Sequence, residues 1–460
     1  MVDLLRMSAL TMASLIRRRE ISSEEATRFF LDRIAREDAR LNAFVTVLDR
    51  YALRTARRAD ERIAKSRDRD DLPTFLGVPT AIKDLVPMRG TPTKLGSRAY
   101  QWLISPFDAP AAKHMKRAGF VILGKLATSE FGVLPVTEPD IHPPTRNPWN
   151  TEHTPGGSSG GSGAAVAAGL VPFAHGSDGG GSVRIPSSFC HLYGFKPSLS
   201  LLGNMHGRVN KTGLSTMGPL SHHVEDAAAM LDVLAGRYQH RRFGSDSCLA
   251  QSRRTPRRLR IRFSSKSPIG RVEPNIARAV EDTAGELASL GHDVEPVDMI
   301  DASLEDFLPI WQFQLAMVPV WSDRPLQPIT RWLREAGRSL SLSHVLELRE
   351  HLASRIDDML GDADIMLTAT TPVPAPRVGA FAGLDPAAQF EAVSDIGALT
   401  AGYNVSLSPA ASLPAGLTDA GLPIGVQIAG RPGQDYLILS LSRQLEEVMD
   451  WHRRRTSFFE

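Results

Sequence analysis

Apolar residues open the chain at helical spacing. Residues 1–20, MVDLLRMSALTMASLIRRRE, read as an amphipathic helix ending at Arg17–Arg19; the basic cluster follows the apolar stretch, the reverse of a secretory signal. Ser22 and Glu25 form an S-x-x-E capping box ahead of Ala26, Phe29, Phe30 and Ile34. A further helix is expected over Arg50 to Lys65, then a solvated loop over Ser66–Asp71. From Leu72 the texture changes to short apolar runs alternating with helices. Strands are predicted within Phe75–Ile82, at Phe120–Leu123 and at Leu170–Ala174, with helices at Ala109–Ala118 and Ala164–Ala168. Tyr238–Pro256 reads as a linker, and 300–345 as irregular chain carrying Trp311, Phe313, Trp321 and Trp332. Between them lies a strand–helix–strand, Leu259–Phe263, Asn275–Leu290 and Asp293–Val297, with Gly291 as the helix stop. Strands at Ile365–Thr368 and Ile424–Ala429 and a helix at Tyr436–Val448 close the pattern. The alternation predicts an α/β sheet covered by helices.

Composition narrows the picture modestly. The 460 residues suit two or three domains or one large α/β unit, and 42% apolar with 23% charged residues excludes a wholly disordered chain. Lys plus Arg (53) nearly balance Asp plus Glu (51), which gives no reason to expect a nucleic-acid partner. The basic run Arg253–Arg262 lacks interleaved aromatics and reads as a solvated strand edge. Two cysteines, Cys190 and Cys248, suit a reducing compartment, and no apolar run is long enough to span a membrane. A cytoplasmic enzyme is the expectation.

Two glycine- and serine-rich segments carry the chemistry: GGSSGGSG at Gly156–Gly163 and SDGGGSVR at Ser177–Arg184. Neither contains the lysine of a Walker phosphate loop, and the first lacks the strand that should precede a dinucleotide fingerprint. Gly156–Gly160 formally matches G-x-S-x-G, but PWNTEHTP upstream is no elbow strand. Ser182 has better context: a strand, then Gly179, Gly180 and Gly181, whose positive-φ freedom could gather amides into an anion-binding nest. His175 and Asp178 sit too close along the chain for a convergent Ser-His-Asp relay. Asp178 and Arg184 could pair across the turn. A lysine base is the other choice, and Lys83, after the apolar run Gly77–Ile82, is one of several candidates. No H-E-x-x-H or Cys/His ligand spacing appears, so neither metal nor other cofactor is expected.

GGSSGGSGAAVAAG at Gly156–Gly169 and GSDGGGSVRIPSSFCHLYGFKPS at Gly176–Ser198 resemble the amidase signature family of serine hydrolases. So do GVPTAIKDL at Gly77–Leu85, GKLATSEFG at Gly124–Gly132, RNPWN at Arg146–Asn150 and the block from Asn404 to Arg431. The resemblance implies one large domain with a central mixed sheet: a helical segment 1–70, a core 71–236, a variable substrate segment 237–400 and a returning core 401–460. It implies Ser182 as nucleophile, Ser158 after a cis peptide as bridge, Lys83 as base and Ser159 in support. The amides of Gly179, Gly180, Gly181 and Ser182 would form the oxyanion hole. Gly179 departs from the bulkier residue common in the family, although the triple glycine occurs in its cyclic-dimer and nylon-type branch; Leu407 stands where glycine is usual. The implied reaction is hydrolysis of a small-molecule amide. Alternatives are a glutamine-amidase subunit of a tRNA-dependent amidotransferase, an acyl transferase, or a non-catalytic module. Trp311, Phe313, Met317, Trp321 and Trp332 are the expected lining of a hydrophobic pocket, and homodimers are common in the family.

Overall fold

The computed structural model describes residues 3–68, 71–205, 207–236 and 245–459. One mixed sheet runs through the chain. Its strands are β1 Phe44–Val47, β2 Pro79–Lys83, β3 Val121–Leu126, β4 Phe173–Asp178, β5 Tyr193–Lys196, β6 Thr216–Ser221, β7 Arg260–Phe263, β8 Asp293–Pro296, β9 Ile365–Ala369, β10 Ala410–Leu417 and β11 Pro423–Ala429. They lie in the order β1-β3-β2-β4-β6-β5-β10-β11-β9-β7-β8. β2 runs parallel to β3 and β4, and β7 runs parallel to β8 and β9; the remaining pairs are antiparallel. Helices flank this sheet in a single α/β domain, to which the segment 237–400 contributes β7, β8 and β9.

The opening helices form as their caps predict. Ser22 accepts from the Glu25 amide while Glu25 accepts from the Ser22 amide, starting the helix Ser23–Leu41. With Ala9–Arg18 and Asp49–Lys65 it buries Met12, Phe30, Ile34 and Ile63 in the cluster that also holds Phe75, Phe120 and Phe173. Among the described residues no helix is long and apolar enough to cross a membrane.

Three expectations need correction. Residues 300–345 are largely helical, with Leu304–Ala316, Pro328–Gly337 and the start of Leu342–Leu360. Ser303 and Asp306 make a capping box, Pro328 opens the second helix and Ser341 caps the third, whereas Pro309 inside the first helix obscures its period. The strand expected at Leu170–Ala174 is Phe173–Asp178, because its ladder with β6 runs from Phe173 opposite Ser221 to Asp178 opposite Thr216 and includes polar residues. The linker expected at Tyr238–Pro256 lies partly outside the described residues; its remainder includes a short helix, Cys248–Ser252. Residues 69 and 70 of the expected Ser66–Asp71 loop also lie outside them. Along the basic run, Arg257, Arg258 and Arg262 pair with Asp364, Asp293 and Glu295, so this edge carries its own counter-charges.

Candidate active site

Lys83 ends β2, where pairing with β3 on one side and β4 on the other leaves its side chain fully buried. Its Nζ lies 2.8 Å from Ser158 Oγ, 2.8 Å from Ser159 Oγ and 3.0 Å from Ser177 Oγ. Burial drives its pKa down to about 7, against the upward pull of Asp178. A neutral amine has two N–H donors and one lone pair, and three hydroxyl neighbours can satisfy all three. The peptide between Gly157 and Ser158 is cis. Ser159 begins the helix Gly160–Ala167, yet its hydroxyl caps no amide of that helix; it donates to the Ser177 carbonyl, 3.1 Å away.

Ser182 follows β4 through the turn Gly179–Gly181. Of these glycines only Gly181 has positive φ, at 125°, and a Cβ there would collide with Thr400. The expectation for the nest is corrected at Gly181, whose amide donates to Asp178 Oδ1 at 2.8 Å. Among the described residues, the amides of Gly179, Gly180 and Ser182 have no protein acceptor. Ser182 lines a cleft, and its carbonyl accepts from the Ser159 amide at 3.2 Å.

A buried ion pair holds this turn. Arg184 reaches Asp178 Oδ1 at 2.9 Å and Oδ2 at 3.0 Å, with both side chains fully buried. Burial alone would raise the Asp178 pKa, but Arg184, helped by Lys196 and Asn404, holds it well below the usual carboxylate range. Arg184 also donates to Thr400 O (2.9 Å), Gln427 Oε1 (2.7 Å) and Asn404 Oδ1 (2.6 Å). Asn404 returns hydrogen bonds to the Asp178 carbonyl and carboxylate, both at 3.0 Å. Sequence reasoning missed Ser177, Thr400, Asn404 and Gln427. Ser177 had a local signal, as a serine inside the glycine-rich loop, and Asn404 and Gln427 fall within the family-like block from Asn404 to Arg431, which gave them no individual role. Leu407 takes the left-handed φ of 58° that favours glycine, so its backbone does not follow from its side chain.

The cleft over Ser182 has no charged residue in its lining among the described residues. Val133, Leu134, Ile185, Phe307, Trp311, Leu352 and Phe390 supply much of the wall, with hydroxyls at Ser182, Ser303 and Ser394. Among the aromatic and Met residues expected there, Trp311 alone lines it. Trp321 is 102% exposed, Trp332 leans on Phe390 with ring centroids 6.1 Å apart, and Phe313 is buried beneath. Gly179 lies against this wall: a Cβ on it would come within 3.2 Å of the Trp311 ring and 2.8 Å of Ser215 Oγ. His175 is packed in β4 beside Met217, and burial pushes the Cys190 thiol pKa up, leaving it a poor nucleophile.

The chain is similar to known proteins in sequence and in fold. The family model described as Amidase matches residues 25–439. The amidase-named AmiA2 of Mycobacterium tuberculosis is 35% identical, covering 94% of this chain and 91% of its own. A glutamyl-tRNA(Gln) amidotransferase subunit from Moorella thermoacetica is 31% identical, covering 99% of both chains. A solved structure of 6-aminohexanoate cyclic dimer hydrolase complexed with substrate superposes with a TM-score of 0.87 and 29% identity, over 100% of both chains.

Proposed function

Because the chain belongs to the amidase signature family, and is thus an enzyme acting on carbon–nitrogen bonds other than peptide bonds, we propose that it hydrolyses uncharged, largely apolar amides through an acyl-Ser182 intermediate. The observation that carries this reading is the Lys83 amine, fully buried, with three serine hydroxyls within 3.0 Å and its pKa brought to about 7. Neutral Lys83 accepts the Ser158 proton as Ser158 accepts that of Ser182, and Ser182 Oγ bonds to the amide carbon. Negative charge then builds on the former carbonyl oxygen beside the free amides of Gly179, Gly180 and Ser182. One such donor typically contributes about 10²–10³ in rate. The relay returns the proton to the departing amine as the carbon–nitrogen bond breaks. Water, deprotonated by the same route, releases the acid from Ser182.

The cleft supports the substrate class. Glutamine carries an ammonium and a carboxylate, and a charge buried without a partner is costly. A wall with no charged group among the described residues therefore favours neutral amides over the glutamine used by an amidotransferase. The test combines labelling with turnover. A fluorophosphonate should modify the parent at Ser182 and leave Ser182→Ala untouched. The parent alone, with no other protein added, should hydrolyse neutral alkyl or aryl amides faster than glutamine. Full turnover by Ser182→Ala would refute the assignment, and a preference for glutamine would refute the substrate class. Release of a transamidated product when amines are added would instead identify acyl transfer.

A further inference from the structure

Away from the cleft lining, one histidine converges with a glutamate and a second histidine more than two hundred residues further along the chain. His223 precedes the helix Val224–Leu234, Glu446 lies on the helix Asp435–Met449, and His452 sits in the turn Trp451–Arg453. His223 Nδ1 is 3.9 Å and His452 Nε2 3.7 Å from Glu446 Oε1, and the three residues' ligand atoms lie within 4.8 Å of one another. Glu446 is buried, while both imidazoles are partly exposed onto a depression whose other charged residues are Glu225, Asp226, Arg6 and Arg443.

We propose that His223, Glu446 and His452 bind one borderline divalent metal ion, with Zn²⁺ as the reference ligand and water completing the shell. Two imidazole nitrogens and one carboxylate oxygen are a donor set suited to Zn²⁺, whose bonds of about 2.0–2.1 Å place tetrahedral donors about 3.4 Å apart. The two histidine–carboxylate separations, 3.9 and 3.7 Å, need only a small contraction to reach that spacing. The His452 ring is already oriented as a ligand, because its Nδ1 lies 3.3 Å from the His222 carbonyl; that contact fixes Nδ1 as a donor and turns the Nε2 lone pair toward Glu446. Glu446 Oε1 is steadied by the Val224 amide at 3.0 Å. Arg443 opposes a cation, lying 3.3 Å from Glu446 Oε2, but it is shared with Glu225 and Glu447. The bound ion would tie the start of one helix to the end of another, so its effect falls on stability rather than on the amide chemistry.

The full chain, stripped with a chelator, would be titrated with Zn²⁺ by calorimetry and with Co²⁺ by visible absorption. The expected result is one ion per chain, a tetrahedral-type Co²⁺ band, and a Tm raised by several degrees at saturating Zn²⁺. His223→Ala and His452→Gln, shown folded by circular dichroism, should each bind at least about tenfold more weakly while retaining amide turnover. Absence of saturable binding to the folded parent would overturn the proposal, as would unchanged affinity in both variants.

Discussion

The corner around Lys83 and the wall of the cleft meet at Ser182 but are built on opposite rules. In the corner, Lys83, Ser158, Ser159 and Ser177 are held by directional hydrogen bonds of 2.8 to 3.1 Å, and Asp178 and Arg184 are fully buried. Each atom there needs a particular partner, because an unmatched polar group so deep is costly. The wall from Trp311 to Phe390 is held by dispersion and burial, where volume matters more than identity. In the reading proposed above, the corner sets the reaction and the wall selects the amide. Substitutions on the two sides should therefore fail differently: corner changes should remove turnover or the fold, and wall changes should reorder substrates.

Lys83→Met bears on that contrast most heavily. It keeps an unbranched side chain in the buried space but removes the base, and kcat/KM should fall by about 10²–10⁴ on every substrate. The parent's pH profile provides the companion measurement. Below a pKa of about 7 the amine is protonated and cannot accept from Ser158, so kcat/KM should rise with pH through that value and level off above it. A profile flat from acid to neutral pH, or a Lys83→Met variant impaired on some amides only, would break the division between corner and wall.

Arg184→Met asks whether the corner is also structural. It strands the Asp178 carboxylate, fully buried, and removes the hydrogen bonds to Thr400, Asn404 and Gln427. Breaking one side of a buried ion pair typically costs about 3–5 kcal/mol, so denaturant unfolding should show a loss of that order. A loss within the range of an ordinary surface substitution would mean that the turn holds itself without Arg184.

Legibility in the sequence follows the same division. The loops at Gly156–Gly163 and Ser177–Arg184 stand out because a tight turn and a nucleophile demand glycine and serine in one contiguous stretch. Lys83 is weaker: Lys125 and Lys196 are buried as well, and what singles Lys83 out is the three serine hydroxyls within 3.0 Å of its amine, which only the fold assembles; before that the family resemblance had to choose it among other lysines. Asn404 and Gln427 lie in a family-like block, but their role has no local mark, since they serve a turn more than two hundred residues away. The wall was hardest to read. Trp311 and Trp321 look alike in sequence, yet Trp311 sits on the helix Leu304–Ala316 and lines the cleft, whereas Trp321 falls in the connection before Pro328 and is bare to solvent; composition encodes neither placement. The cap signals at Ser303 and Ser341 were present, but Pro309 hid the first helix.

The smallest expected effect lies where the two regions touch. Trp311 can lie over the nucleophile turn because residue 179 has no side chain: a Cβ there would come 3.2 Å from the indole and 2.8 Å from Ser215 Oγ. Gly179→Val should thus push the indole into the cleft and penalise bulky amides over small ones by about tenfold in kcat/KM, the scale of a filled methylene-sized space. Trp311→Leu should shift the ratio the other way by widening the same region. If residue 179 acts through the indole, its effect must shrink once the indole is gone. The double variant should then fall short of the sum of the single effects by more than the roughly 0.5 kcal/mol expected of independent sites. Simple additivity would place the influence of Gly179 in the corner, on the amides facing the developing charge, and not in the wall.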